Sequence, residues 1–451
     1  MRLMSEIALI YPYTYSHARN AMLFHPLGIA QLSAILRHEG METSVLDLTF
    51  RSHEDALNEL ERTRPSIIGI YAMLTMVAGA LDLASKLRKL HPDSLLVCGG
   101  PMPTLRPEQF TRSFDVIFRG ESVFSFPRFC RDYLSLKILS GVLQHHARYP
   151  GIYARSPLTG DVIQTPAQAT DQYDLDRLPV PYRQDYDHKS YQLFWKERGC
   201  FTQASIMTTY GCPHDCDFCA KPIFGNNYRR RNIDSIVDEV KDIRSLGYEG
   251  LWIADDCFTL DLDHVRAFCR RLIRENLRMM WSCLSRTDPI AQDDVKLMKQ
   301  AGCSKVFFGL ESGSDEVLKL MNKHTTTAAA EKMINLFSRC GIETSGFFIV
   351  GYPGETSKSI ESTFAWSLKL PLNEISFTIP FPLPGTRLYK KVYGIKADAD
   401  WNYENENRLI YRSEFDEGYL KRRIEETYEQ FARKLKLRDM HTVPPCRDEL
   451  A

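Results

Sequence analysis

Two spacings alternate along the chain. Short apolar runs rich in β-formers, Glu6–Pro12, Thr43–Leu48, Ser66–Tyr71, Ser94–Gly100 and Asp115–Gly120, are separated by stretches with helical spacing at Leu27–Gly40, His53–Thr63 and Val77–Leu90. Strands alternating with such helices predict repeated βαβ units in a parallel, doubly wound sheet over residues 1–135. Residues 136–200 read as a connector, with a small hairpin at Pro150–Pro166 and a proline-rich run, Leu178–Tyr186. Aromatics at Tyr186, Tyr191, Phe194 and Trp195 suit packing at a domain junction better than a substrate mouth.

From 201 to 395 six more strand-like runs follow: Ser205–Tyr210, Leu251–Asp255, Met279–Leu284, Lys305–Leu310, Ser345–Val350 and Glu374–Ile379. Helical patterns such as Ile233–Gly247 and Asp263–Asn276 separate them. Six βα units predict a partial (β/α)6 barrel, whose site belongs at the C-terminal ends of its strands. Residues 396–451 form a short extension with one charged helical pattern, Tyr419–Leu437, read as a largely solvated face. The fold class is therefore α/β, with two domains and a helical tail.

Composition narrows the class. At 451 residues the chain is long enough for two domains, and 44% hydrophobic with 25% charged residues is ordinary for a globular protein. Lysine plus arginine equals aspartate plus glutamate at 57 each, so nothing draws the whole chain to nucleic acid or to an anionic membrane. No stretch approaches the ~20 apolar residues of a spanning helix, and the N-terminal run is too short for a signal peptide core. Twelve cysteines in such a chain fit a reducing cytoplasm. Most of them, among them Cys98, Cys257, Cys283 and Cys340, are scattered like buried small hydrophobes, and Cys446 reads as incidental.

Cys212, Cys216 and Cys219 are different. They stand C-x3-C-x2-C in the run Tyr210–Ile223, between a strand and a helix. Thiolates at this spacing select soft iron or zinc. Zinc wants a fourth ligand to close its tetrahedron, and His214 lies inside the loop, so spacing alone leaves zinc open. Three ligands on a four-iron cluster would leave one iron free for a substrate or cofactor. On the zinc reading the chain is a metal-stabilised binding protein instead of an enzyme.

That loop in that setting resembles the radical S-adenosylmethionine superfamily, and the resemblance runs for roughly 200 residues. It implies a [4Fe-4S] cluster on the three cysteines and S-adenosylmethionine chelated at the open iron. It further implies reductive cleavage to a 5′-deoxyadenosyl radical, fed by an external donor such as a flavodoxin or ferredoxin. Polar residues at the strand ends take roles by the same resemblance. Asp255 and Asp256 face the amino group of S-adenosylmethionine, Arg286 beside Ser285 holds its carboxylate or orients substrate, and Glu311 in Gly309–Ser314 contacts the adenosyl group. Gly351, Pro353 and Gly354 in Gly351–Thr356 form the backbone loop near adenine, and Phe381–Tyr389 follows the sixth strand.

The first domain resembles the Rossmann-like cobalamin-binding domain that precedes many of these enzymes, through His25–Leu36, Val97–Thr104 and Phe118–Phe124. Met102 stands where that pattern commonly has histidine, and Gly120-Glu121-Ser122-Val123 replaces Gly-Glu-Gly-Glu. These departures leave cobalamin open. They also favour one reaction over another. The pattern resembles the radical dehydratases of aminoglycoside antibiotic pathways, which implies a small polar substrate such as an amino sugar and a separate reductase acting on the product. A cobalamin-dependent C-methyltransferase is the alternative.

Overall fold

The computed structural model describes residues 6–15, 22–167, 174–221, 223–392 and 408–441; Cys446 lies outside them. In the first domain, β1 (Ile7–Tyr11), β2 (Thr43–Asp47), β3 (Ile67–Tyr71), β4 (Leu95–Gly99) and β5 (Val116–Phe118) form a parallel sheet in the order β2-β1-β3-β4-β5. Strand alternation sends Ile7 and Leu9 to one helical layer and Ala8 and Ile10 to the other, so both faces are buried. The order reverses between β1 and β3, and at such a switch point the strand ends open a crevice.

The hairpin expected in the connector does form, as β6 (Ile152–Arg155) and β7 (Val162–Gln164), but it belongs to this sheet. β6 pairs antiparallel with β5 and makes the sheet seven-stranded. Three-residue β5 would otherwise be an open edge with unpaired amides, and the hairpin covers it. The aromatics that follow do pack at the junction. Tyr191, Phe194 and Trp195 bury with Leu23, and the Tyr191 hydroxyl donates to Asp47 Oδ2 at 2.7 Å.

The second sheet holds β8 (Gln203–Ile206), β11 (Gly250–Ile253), β12 (Met280–Ser285), β13 (Cys303–Glu311), β14 (Glu343–Ile349) and β15 (Glu374–Thr378). All six are parallel in the order β8-β11-β12-β13-β14-β15, and β8 does not pair with β15, so the barrel is partial as expected. Leu251, Ile253, Val306 and Phe308 face the surrounding helices in one continuous core. Their alternates Trp252, Phe307 and Phe347 therefore face the lumen, where the Phe307 ring lies 5.2 Å from Trp252 and 5.7 Å from Phe347.

One strand departs from its sequence pattern. The first barrel strand stops at Ile206, and Thr209–Tyr210 turns away as β9 to pair antiparallel with β10 (Arg229–Arg230), a ribbon that closes the base of the cysteine loop. At the other edge the helix Glu417–His441 buries Leu420, Ile424 and Phe431 against the barrel. Its Tyr428 hydroxyl accepts the Phe377 amide of edge strand β15 at 3.0 Å, so this helix is a cover as well as a solvated face. Among the described residues no helix is long and apolar enough to cross a membrane.

Candidate active site

The break after Ile206 has a cause in β11. Asp255, just past that strand, is fully buried. Its Oδ1 accepts the Thr208 amide at 2.7 Å, and its Oδ2 accepts the Thr208 and Thr209 hydroxyls at 2.5 and 2.7 Å. Burial pushes this carboxyl up to about 6, with the threonine hydrogen bonds pulling the other way. Both oxygens are spent on the turn that starts the cysteine loop. Ser285 is likewise turned inward, its hydroxyl 2.6 Å from that of Thr259 and donating to the Arg286 carbonyl at 2.7 Å. Asp255 and Ser285 thus support the site from behind.

The loop itself is held by its backbone. Gly211 has φ +78, and a Cβ there would lie 2.3 Å from the Asn227 carbonyl oxygen, so only glycine allows the closure. Lys221 Nζ donates to the Cys212 carbonyl at 2.7 Å and to that of His214. On the outer side, Asn322 Nδ2 donates to Asp215 Oδ1 at 2.8 Å, Arg387 pairs with Asp215 at 2.7 Å, and Lys391 pairs with buried Asp217.

Cys212, Cys216 and Cys219 are free thiols within this frame. Burial pushes the Cys212 thiol up, and that of Cys219 to about 11, each also feeling the neighbouring thiols. Iron held there would be bound by the deprotonated thiolates and so would oppose that upward shift. Among the described residues no three His, Cys, Asp or Glu side chains meet as ligands of a single ion. A cube of four irons takes each thiolate on a different iron, so its cysteines ring a space instead of meeting at a point.

Two of the expected side chains reach this loop, and a third reaches it through a neighbour. Exposed Asp256 accepts the Gly211 amide and faces Lys221. Arg286, 6% exposed, donates from Nη1 to Cys216 Sγ at 3.6 Å, from Nη2 to the Lys323 carbonyl at 2.6 Å and from Nε to Asp288 at 3.0 Å. Glu311 connects through Lys323, whose Nζ it binds at 2.6 Å with both groups buried. Gly309 makes room for the pair, since a Cβ there would lie 2.5 Å from Glu311 Oε1 and 2.8 Å from Lys323 Nζ. Lys323 was not visible as a partner in the sequence, where it stands past the next helix with no motif around it.

Gly351, Pro353 and Gly354 form a tight loop after β14. Gly351 and Tyr352 donate their amides to Glu355 Oε2 at 2.7 and 2.8 Å, and the Gly351 carbonyl accepts the Tyr411 hydroxyl at 2.7 Å. Glu355 is 3% exposed and burial pushes it up to about 7. An acid raised from 4.5 binds more protons in the folded than in the unfolded chain, so its contribution to stability falls as pH rises from 4.5 through 7. Denaturant melts at pH 5 and pH 8 should show Glu355→Gln gaining on the parent protein by on the order of 2–3 kcal/mol at the higher pH. An equal difference at both pH values would refute the buried acid.

A second feature joins the two domains. A cavity of about 400 Å³ opens at the switch point, with Leu9, Val97 and Phe126 as apolar wall and Gly69, Gly99 and Gly100 as a floor without side chains. Tyr11 and Tyr71 line it from the ends of β1 and β3, and the barrel domain contributes Tyr210 and Ile223 from the cysteine loop with Met207 and Phe224 flanking it. Ser122 and Val123 face it, whereas Met102 is buried in the opposite layer of the sheet. The methionine that stands for the family's histidine thus says nothing about what the cavity holds. An apolar wall, a glycine floor and two phenols at a switch point fit the broad face and polar edges of a corrinoid.

Comparison with known proteins agrees with both halves of this geometry. The profile of the radical SAM superfamily matches residues 206–367, and that of the B12 binding domain matches residues 18–128. The chain carries a radical SAM domain behind a B12-binding domain; the first implies a [4Fe-4S] cluster and S-adenosylmethionine, and the second is the fold for cobalamin. It is 28% identical over 396 residues to an uncharacterized methyltransferase of Pyrococcus horikoshii, covering 85% of this chain and 82% of that one. It is 26% identical to the anaerobic magnesium-protoporphyrin IX monomethyl ester cyclase of Rubrivivax gelatinosus, over 94% and 77%. In fold it is similar to the radical S-adenosylmethionine methyltransferase TsrM of Kitasatospora setae, a structure with cobalamin and a [4Fe-4S] cluster bound. The TM-score there is 0.77 at 21% identity, covering 95% and 91% of the two chains.

Proposed function

We propose that the protein is a cobalamin-dependent radical SAM methyltransferase acting on a small molecule. Cys212, Cys216 and Cys219 would hold the cluster. Asp256, Glu311 and the Gly351–Gly354 loop would frame S-adenosylmethionine, each on the rim of the cysteine loop or one contact from it. When bound, these cofactors supply a carbon radical and a methyl group. The chain's own part is to hold them against one substrate, keep water out and fix their orientation.

The single observation behind this reading is the cavity between the domains. Its floor comes from the B12-binding domain and its roof from the cysteine loop, so a group held there lies next to the radical-forming site. A vestigial first domain would have no reason to keep an open, glycine-floored switch point. The methyltransferase name of the Pyrococcus relative favours the same reading. Dehydration of an amino sugar gains no support from these relatives, and the half-exposed Trp252 and Phe347 in the lumen suit an apolar or planar substrate better than a sugar.

The products decide it. Methyl transfer consumes one S-adenosylmethionine for the radical and another for the methyl group. Turnover with an aromatic candidate substrate should therefore form S-adenosylhomocysteine and 5′-deoxyadenosine in step with a product heavier by one methylene. Deoxyadenosine alone, with a product lighter by one water, would return the protein to the dehydratases.

A further inference from the structure

Of the three cysteines, Cys216 receives a side-chain hydrogen bond. Arg286 brings Nη1 to 3.6 Å from its sulfur, which here stands for a thiolate on iron. The guanidinium is not free to swing. Its other two donor positions are taken by Asp288 at 3.0 Å and by the Lys323 carbonyl at 2.6 Å, and the side chain is 7% exposed. Lys323 is fixed in turn by the buried pair with Glu311 at 2.6 Å. A cation fixed in this way, away from water, acts strongly on a nearby charge, because screening is weak there.

We infer that Arg286 is a positioning residue for electron entry, which raises the reduction potential of the cluster through Cys216 instead of binding the carboxylate of S-adenosylmethionine. Reduction adds one negative charge to the cluster, and a fixed guanidinium on a ligand sulfur stabilises the reduced form more than the oxidised one. Hydrogen bonds to cluster sulfurs are among the determinants of such potentials. Besides its place at the S-adenosylmethionine site, Glu311 with Lys323 then serves as the frame that keeps Arg286 aimed. Arg over Lys is understandable at this position, because only a planar fork reaches a sulfur, a carbonyl and a carboxylate together.

The inference rests on the cysteine loop binding a cluster but not on methyl transfer, so absence of S-adenosylhomocysteine would leave it standing. The test uses the full-length protein with its cluster reconstituted anaerobically and no S-adenosylmethionine present. Arg286→Gln and Arg286→Lys are titrated by potentiometry alongside the parent, and S-adenosylmethionine affinity is measured separately. Arg286→Gln should have about a tenfold lower ratio of reduced to oxidised cluster at a fixed potential, a shift of about 59 mV for one electron. Arg286→Lys should fall between it and the parent, and neither should bind S-adenosylmethionine much more weakly. Unchanged potentials with affinity lost in both variants would assign Arg286 to the carboxylate and overturn the inference. Loss of iron from both variants would overturn it too, by showing that Arg286 only builds the loop.

Discussion

Replacing any one of Cys212, Cys216 and Cys219 with alanine should abolish formation of 5′-deoxyadenosine, by at least three orders of magnitude after reconstitution. The three thiolates are the anchors that this loop offers a cluster, and each would hold its own iron, so no neighbour substitutes for a lost one. His214 is the nearest candidate replacement, but it is tied to the loop differently: its carbonyl accepts from Lys221, and its ring faces Asp288 at 3.9 Å. The loop should survive the substitution, because Lys221, Asn322, Arg387 and Lys391 hold it by backbone and carboxylate groups and not by thiols. Circular dichroism should therefore stay native while iron and acid-labile sulfide fall. The same change at Cys283 or Cys98, both fully buried in the two cores, should leave deoxyadenosine formation intact and cost stability alone. Native rates in a reconstituted Cys216→Ala protein would remove the cluster from this loop.

The parts of this arrangement legible in the sequence are those carried by local pattern. All five strands of the first parallel sheet and all six of the barrel announce themselves as apolar runs, because each is buried and flanked by turn residues. The cysteine loop is legible because its chemistry is packed into eight residues. Contacts between distant segments are not. Nothing in Glu311-Ser-Gly-Ser predicts that its partner is Lys323, or that Lys323 offers its carbonyl to Arg286, since those links depend on where the next helix ends. Asp255 and Asp256 are neighbours with opposite orientations, one folded back on Thr208 and the other facing the loop, and a residue count cannot separate them. Met102 misled for a related reason. Its departure from the family's pattern looked like a lost cofactor contact, yet the short helix Pro101–Leu105 turns it into the opposite core.

The cavity at the switch point carries the other large effect. Gly69→Leu should abolish retention of corrinoid while leaving the cluster in place. Gly69 sits in the middle of β3 and lines the cavity, where a Cβ would already stand 3.0 Å from Leu9 Cδ2 and 3.5 Å from Val97. The three further carbons of leucine extend from that Cβ, itself 3.8 Å from the Phe126 ring that lines the cavity, into the cavity and take space from its contents. Protein expressed with abundant cobalamin should bind about one cobalt per chain in the parent form and at least tenfold less in the variant. Iron content and the cluster's visible absorption should match in the two. Activity should split in the same way: 5′-deoxyadenosine still forms, because the cysteine loop is untouched, but methylated product and S-adenosylhomocysteine disappear together. Ser122→Gly, at the rim where the family's glycine is missing, should leave cobalt binding unchanged or improve it. If Gly69→Leu retains full cobalt, the corrinoid lies elsewhere and the shared chamber on which methyl transfer rests is not its site. If the parent itself binds none under saturating supply, the first domain is a scaffold and the chemistry belongs to the barrel alone.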